Sequence, residues 1–322
     1  MLWCCVAGAL AGVWVRGEGD AYAQVSYGFT SATATFDEAG TPLPMSSPHY
    51  LGDIAPLFTS GRFVGHEVTL YGEFGVGRNV EMFGSLPVRA PTVTWTWAVP
   101  DNDDVVQTNF GLGDAVIGVR YGQVTGAFAW STYGSVRLPL YDNNPFVLRQ
   151  EPGNSDFIDD RVSLGQGTVE LDVGASAGAS LGGRGWVLGE AGLRLRDRGY
   201  AVQLPARAQV GWTPVPEFGP LVDVEGLWTI GQGTQPTTWR DAYDKGPLVV
   251  DGVSRVTLTG GLLARPWTAT APKGDIRRGL GVIAKASAVV DGARTAQAVA
   301  GSVAISWEGR WMSESSRPQS RR

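Results

Sequence analysis

The chain carries two histidines, His49 and His66. His49 lies near Ser46 and Ser47, and His66 stands beside Glu67. A serine, an imidazole and a carboxylate are the parts of a hydrolase, but they must sit within hydrogen-bond reach of one another. Nothing in this spacing brings such a set together, so the expectation is a protein that is not an enzyme. Two histidines also give no basis for a histidine metal centre. The acids of Asp101-Asn102-Asp103-Asp104, and Asp156, Asp159 and Asp160, lack the spacing, central glycine and terminal glutamate of a calcium loop. They read as solvated loop tips. Gly111-Leu112-Gly113-Asp114 has the look of a phosphate-binding turn. No helix pattern follows it; Ala115, Ile117, Val119 and Tyr121 alternate instead, which removes the context such a turn needs. Gly111 and Gly113 are therefore expected to shape the start of a strand, with Asp114 capping it or pairing inside. No metal and no cofactor is expected.

The remaining chemistry is charge at alternate positions. In Thr168–Ala177, Val169, Leu171, Val173, Ala175 and Ala177 share one face, while Thr168, Glu170, Asp172, Gly174 and Ser176 share the other. Successive side chains of a strand point to opposite faces, so this run has one apolar and one wet side. The same alternation puts Glu67, Glu73, Glu170, Asp172, Glu190, Asp223 and Glu225 on polar faces. It does the same for Arg120, Arg137, Arg194, Arg196, Arg207, Arg255 and Lys285. If the apolar faces meet lipid, these residues are lumen-lining candidates. An arginine or lysine on the lipid face near the midplane costs about 2–4 kcal/mol, which drives the charges inward. The two signs are nearly balanced, and buried charges of opposite sign are expected to pair across a narrow lumen.

Twelve alternating segments carry these positions: about 24–36, 62–77, 79–97, 111–122, 126–138, 166–180, 185–197, 200–213, 219–231, 248–265, 278–290 and 295–309. The fold class they predict is all-β, a single antiparallel transmembrane β-barrel of about 12 strands. Such barrels have an even strand number, long outer loops and short periplasmic turns. Long connectors at 37–61, 98–110, 139–165 and 232–247 alternate with short ones at Gly77-Arg78, Gln123–Thr125, Leu181–Arg184 and Thr213–Phe218. The connectors Arg198-Gly199 and Asp291–Arg294 are shorter than outer loops usually are, and 266–277 is longer than an inner turn. Within 139–165, Phe146, Val147 and Leu148 are apolar in a polar loop and are the lid candidates.

The 45 glycines and 12 tryptophans suit this reading. Trp186, Trp212, Trp267 and Trp307 fall near inner strand ends, and Trp95, Trp97 and Trp228 near outer ones. They are expected at the membrane interfaces, where an aromatic ring meets both lipid and water. No apolar stretch is long enough to cross a bilayer as a helix. Residues 1–23 read as a cleaved signal peptide: an apolar block at 2–15, then small residues around Tyr22 with a cut after Ala23. Cys4 and Cys5 lie in that block, so the chain beyond it has no thiol or disulfide chemistry. Residues 24–311 are the expected outer-membrane barrel and 312–322 a disordered polar tail. The formal net charge is −5, and removal of residues 1–23 leaves about −4, with no basic surface for nucleic acid. The last segment, with Val303, Ile305 and Trp307 alternating, is similar to the signal read by the barrel-insertion machinery.

Residues 70–87 (LYGEFGVGRNVEMFGSLP), 111–122 (GLGDAVIGVRYG), 132–140 (TYGSVRLPL) and 164–194 also resemble a bacterial outer-membrane family. It is named for a phenol meta-cleavage pathway and is often labelled simply a transporter. The resemblance spans roughly residues 65–215. It implies a barrel distantly similar to channels for long-chain fatty acids and aromatic hydrocarbons, and brings no catalytic residues. The function expected is passive passage of small, apolar or aromatic molecules through the outer membrane of a Gram-negative bacterium. The alternative is a closed structural or surface-interaction barrel with an ion-paired lumen. The expected partners are outer-membrane lipid, the insertion machinery and an unidentified small solute. Glycine-rich stretches such as Gly174–Gly178 could weaken strand packing and open a gap in the wall.

Overall fold

The structure is a computed structural model, and it describes residues 13–47, 52–99, 104–141, 162–182, 184–215, 217–235, 237, 251–268 and 279–310. Twelve strands form a closed antiparallel barrel. They are β1 (Asp20–Phe36), β2 (Phe58–Gly75), β3 (Val80–Trp97), β4 (Asp114–Thr125), β5 (Phe128–Pro139) and β6 (Glu170–Leu181). The second half is β7 (Gly185–Arg196), β8 (Val202–Trp212), β9 (Phe218–Ile230), β10 (Ser254–Thr268), β11 (Gly279–Ala293) and β12 (Ala296–Arg310). Each strand pairs with its neighbour in sequence, and β12 closes the ring on β1 from Asp20↔Arg310 to Thr35↔Ala296. Closure removes free edges, which a sheet in lipid cannot tolerate.

The expected boundaries hold to within a few residues at most strand ends. β1 starts at Asp20 rather than at 24, and β4 starts at Asp114 rather than at 111. Gly111–Leu112 is instead a two-residue bridge onto β3, and Val105–Thr108 pairs with β3 further out. A further short strand, Pro42–Pro44, pairs with β1, and Gly52–Leu57 is a 3₁₀ turn leading into β2.

One end of the barrel, the turn end, carries the N-terminal end of β1, the C-terminal end of β12 and the short connectors, together with the longer stretch 269–278 between β10 and β11. The other, the loop end, carries the remaining long ones. Two loop-end connectors are tight. At Asp197–Tyr200 the Tyr200 N–H donates to the Asp197 carbonyl at 3.3 Å, and Arg198 and Gly199 both hold positive φ (56° and 78°). Such a turn matches the twist of its flanking strands and needs left-handed backbone at both central positions.

The alternation sets what the wall shows on each side. Outward residues are apolar and open: Val25 is 52% exposed, Ile117 55% and Ile305 59%. The intervening residues are buried and mostly polar, among them Gln24, Ser26, Thr69, Arg120, Ser131, Ser176 and Gln209. The outside is thus the greasy face, the reverse of a water-soluble barrel.

Three tryptophans depart from the interface expectation. Trp95 (2% exposed) points inward, 5.8 Å from the Phe58 ring; Trp97 stacks on Phe58 at 4.9 Å; and Trp186 packs inside against Val13. Their parity along β3 and β7 puts them on the lumen face, where they pack against Phe58 and Val13. Trp212, Trp228 and Trp307 are outward and exposed. Trp267 lies in β10.

The glycines of 174–178 do not open the wall. Every residue of this stretch pairs with β5 on one side and β7 on the other. A Cβ at Gly174 would meet the Tyr133 ring at 2.6 Å, so this glycine makes room for a lumen side chain. The ladder is interrupted elsewhere. Pairing of β3 to β4 stops at Ser85↔Val116 and resumes on the bridge at Val88↔Leu112, around Pro87. Pairing of β7 to β8 skips from Ala191↔Ala206 to Arg194↔Gln203, beside Pro205. Proline has no N–H to give to a ladder.

Candidate functional site

The lumen has three levels. At the loop end, Arg89 on β3 is the hub. It is 2% exposed, and its Nε donates to Glu67 of β2 at 2.8 Å. Its Nη1 donates to the Leu164 carbonyl at 2.6 Å and lies 3.3 Å from Asp114. The Tyr141 hydroxyl donates to Asp114 at 2.7 Å and accepts the Gly167 N–H at 2.7 Å. Burial, with the Asp114 charge beside it, pushes the Tyr141 phenol well above its ordinary value.

These contacts draw residues 162–168 into the lumen, where Ser163, Leu164 and Thr168 are buried. The glycines of the Gly-Leu-Gly-Asp motif allow this fit. A Cβ at Gly113 would lie 2.9 Å from the Arg89 side chain, and one at Gly111 would lie 2.8 Å from Leu164. Asp114, the motif's acid, points inward as a pairing residue. Beside this polar hub, Phe36, Met45, Phe58, Phe63, Val93, Trp95, Val289 and their neighbours form an apolar cluster that fills part of the loop end.

The middle level is a ladder of charges. Arg137 and Arg194 both approach Glu170, at 2.8 and 3.3 Å, and Arg194 also binds Asp172 at 2.7 Å. The 2.8 Å approach of Arg137 is an ion pair poorly aligned for a hydrogen bond. Arg207 pairs with Asp223, and Glu225 lies 3.8 Å away. Arg120 stands 2.5 Å from Glu81 and 3.8 Å from Glu73, with its guanidinium 4.9 Å over the Phe83 ring. A cavity of about 220 Å³ runs between these groups and is lined also by Tyr71, Tyr133 and Glu190. Pro87 and Pro205, where the wall ladders break, line the same cavity. Lys285 and Arg255 sit on inward positions of β11 and β10, outside that lining. Arg196 belongs to the loop end, bound to Asp251 at 2.6 Å and to the Ala201 carbonyl.

At the turn end, residues 13–19 precede β1 and fold back inside the barrel. Val13 is fully buried, packed with Ala129, Leu188, Trp14 and Trp186. Arg16 binds Glu73 at 2.5 Å and Glu308 at 3.2 Å, and its backbone N–H donates to Glu81 at 2.9 Å. A second cavity, of about 380 Å³, is lined by Trp14, Arg16, Trp186, Gln209, Arg265 and Glu308, among others.

Of the candidate residues, the barrel brings together Glu67 with Asp114, Glu73 with Arg120, Arg137 with Glu170, Asp172 and Arg194, and Arg207 with Asp223 and Glu225. The sequence reading missed Arg89, Glu81, Arg16, Asp251 and Glu308. Arg89 and Glu81 lie on inward positions of β3, and their parity was the available signal. Arg16 and Asp251 lie outside strands and had none. The lid candidates Phe146, Val147 and Leu148 lie outside the described residues, as do His49, the acids Asp156, Asp159 and Asp160, and the tail 312–322. His66 faces outward, its Nδ1 2.7 Å from the Tyr27 hydroxyl. Among the described residues no group of acids, histidines and cysteines has the arrangement of a metal site.

No family model matches the sequence, and no curated protein matches it. Solved structures do. An outer membrane channel from Pseudomonas putida F1 superposes with a TM-score of 0.61 at 9% identity, covering 94% of this chain and 99% of that one. The translocator domain of the autotransporter NalP from Neisseria meningitidis gives 0.44 at 11% identity, covering 91% and 90%. The P. putida toluene transporter TodX gives 0.42 at 8% identity, covering 92% and 90%. At this identity the first likeness concerns architecture: the chain has the fold of a twelve-stranded outer-membrane barrel.

Proposed function

We propose that this protein is an outer-membrane channel for small apolar or aromatic molecules, with the turn end facing the periplasm. The observation that carries this reading is the cavity at mid-lumen, held between a loop-end closure on Arg89 and a turn-end closure on Arg16. A barrel that served only as a scaffold has no need of two separate internal stoppers with space between them. Rings support the apolar preference: Tyr71, Phe83 and Tyr133 line the cavity, and the loop-end cluster adds Phe36, Phe58 and Phe63. The resemblance of residues 65–215 to the phenol-pathway transporter family points the same way. The proline-interrupted stretches of the wall lie beside the cavity and offer such a solute a sideways route to lipid.

The test is flux into liposomes of a small aromatic compound against a sugar of similar size, with empty vesicles as baseline. Aromatic flux above baseline and above the sugar supports the reading; both at baseline refute it. The second reading, a sealed structural barrel, draws on the ion pairs that bridge the lumen. Under it, Glu170→Ala with Asp172→Ala lowers stability and leaves flux at baseline.

Export by the N-terminal apolar block belongs to the same proposal. A cut after Ala23 would remove residues 13–19 and four residues of β1, so we place it upstream of Val13. N-terminal sequencing of the protein from membranes decides between the two positions.

A further inference from the structure

The turn-end closure has a specific chemistry. Arg16 is the one cation that segment 13–19 brings to the wall, and it meets three carboxylates from three strands: Glu73 of β2, Glu81 of β3 and Glu308 of β12. Its guanidinium also lies 4.7 Å over the Tyr22 ring. On the wall, Arg120 also pairs with Glu81 and Glu73, and Arg265 lines the turn-end cavity together with Arg16 and Glu308. The wall is shaped around the segment at three further points. A Cβ at Gly75 would strike the Gly17 carbonyl, one at Gly122 would lie 2.7 Å from Val15, and one at Gly178 would lie 2.8 Å from Val13. Three strands thus give up side chains where the segment runs. The backbone bonds near its end, Gly19 N–H to the Gly75 carbonyl and Asp20 N–H to the Gly17 carbonyl, form a short hinge at the start of β1.

We propose that Arg16 latches segment 13–19 as a retractable inner gate. With the guanidinium in place, the segment is tied to β2 and β12 through Glu73 and Glu308, and to β3 through the Arg16 backbone N–H on Glu81. Withdrawal of the segment breaks all three ties together. This rests on the channel reading, but the latch can be measured without transport.

The measurement is thiol labelling. Val13→Cys in a Cys4→Ser, Cys5→Ser background places a single thiol in the buried part of the segment. A charged, membrane-impermeant maleimide should label it slowly in the folded barrel. Adding Arg16→Gln should speed labelling at least tenfold. Arg16→Lys should restore most of the protection, and Glu73→Gln with Glu81→Gln and Glu308→Gln should abolish it. Heat-modifiable migration on gels reports that each variant is folded. In planar bilayers, Arg16→Gln should raise open time.

Unchanged labelling in folded Arg16→Gln overturns the latch, and wild-type current would then leave the channel reading intact. Faster labelling in a barrel that passes no current supports the latch and removes the channel reading. A mature N-terminus downstream of Arg16 overturns the whole.

Discussion

Replacement of Arg89 by methionine is the sharpest probe of the loop-end closure. Arg89 is almost wholly buried and holds two carboxylates, Glu67 and Asp114, that are themselves 8% and 4% exposed. Removing one partner of a buried ion pair costs about 3–5 kcal/mol, because the charge left behind is neither paired nor hydrated. Here each carboxylate keeps one hydroxyl donor, Thr69 to Glu67 at 2.7 Å and Tyr141 to Asp114 at 2.7 Å. That places Arg89→Met near the lower end, about 3 kcal/mol. With a urea slope of roughly 2 kcal/mol per molar, the unfolding midpoint in detergent should fall by more than 1 M. Adding Glu67→Gln and Asp114→Asn removes the stranded charges, and the triple variant should recover most of the loss. The assay is urea unfolding followed by tryptophan fluorescence. A wild-type midpoint for Arg89→Met, or a triple variant no more stable than the single one, would refute the reasoning.

Other outcomes follow from the same geometry. Glu170→Gln leaves Arg137 and Arg194 facing one carboxylate fewer and should cost about 3 kcal/mol, read as a drop in the urea midpoint. Gly113→Ala pushes a methyl group against the Arg89 side chain and should cost about 1–3 kcal/mol; protease cleavage within 140–169 should quicken as the Leu164 tether loosens. Ile305→Arg, on the lipid-facing side of β12, should cost about 2–4 kcal/mol if it lies near the midplane, seen as a lower folding yield into phospholipid vesicles. A change of Ser302, on the inward face of the same strand, to alanine should leave that yield unaltered.

The alternation in runs such as Thr168–Ala177 made strand number and sidedness legible, because a period of two is a local property. Pairing is not local. Whether Glu170 meets Arg137 or Arg194 depends on the register of β6 against β5 and β7, which Tyr133, Gly174 and Gly192 help to set by packing. Tryptophan position was legible by sequence distance from a turn but not by side: Trp95 and Trp186 sit near strand ends, yet parity turns them inward. Gly-Leu-Gly-Asp stood out by composition, but its partner Arg89 lies a strand away. Arg16 had no pattern at all; it directly follows an apolar block that reads as a targeting segment, and only the folded wall, with Gly75, Gly122 and Gly178, supplies its place.

The seam between β1 and β12 joins residues nearly three hundred positions apart. No earlier portion of the chain can substitute for that last partner, so a nascent chain that has not yet made Ala296–Arg310 exposes two raw margins, at β1 and β11. Bringing such distant segments together is slow, and exposed margins invite self-association. Ring completion, rather than any single hairpin, is therefore the step that removes both margins at once.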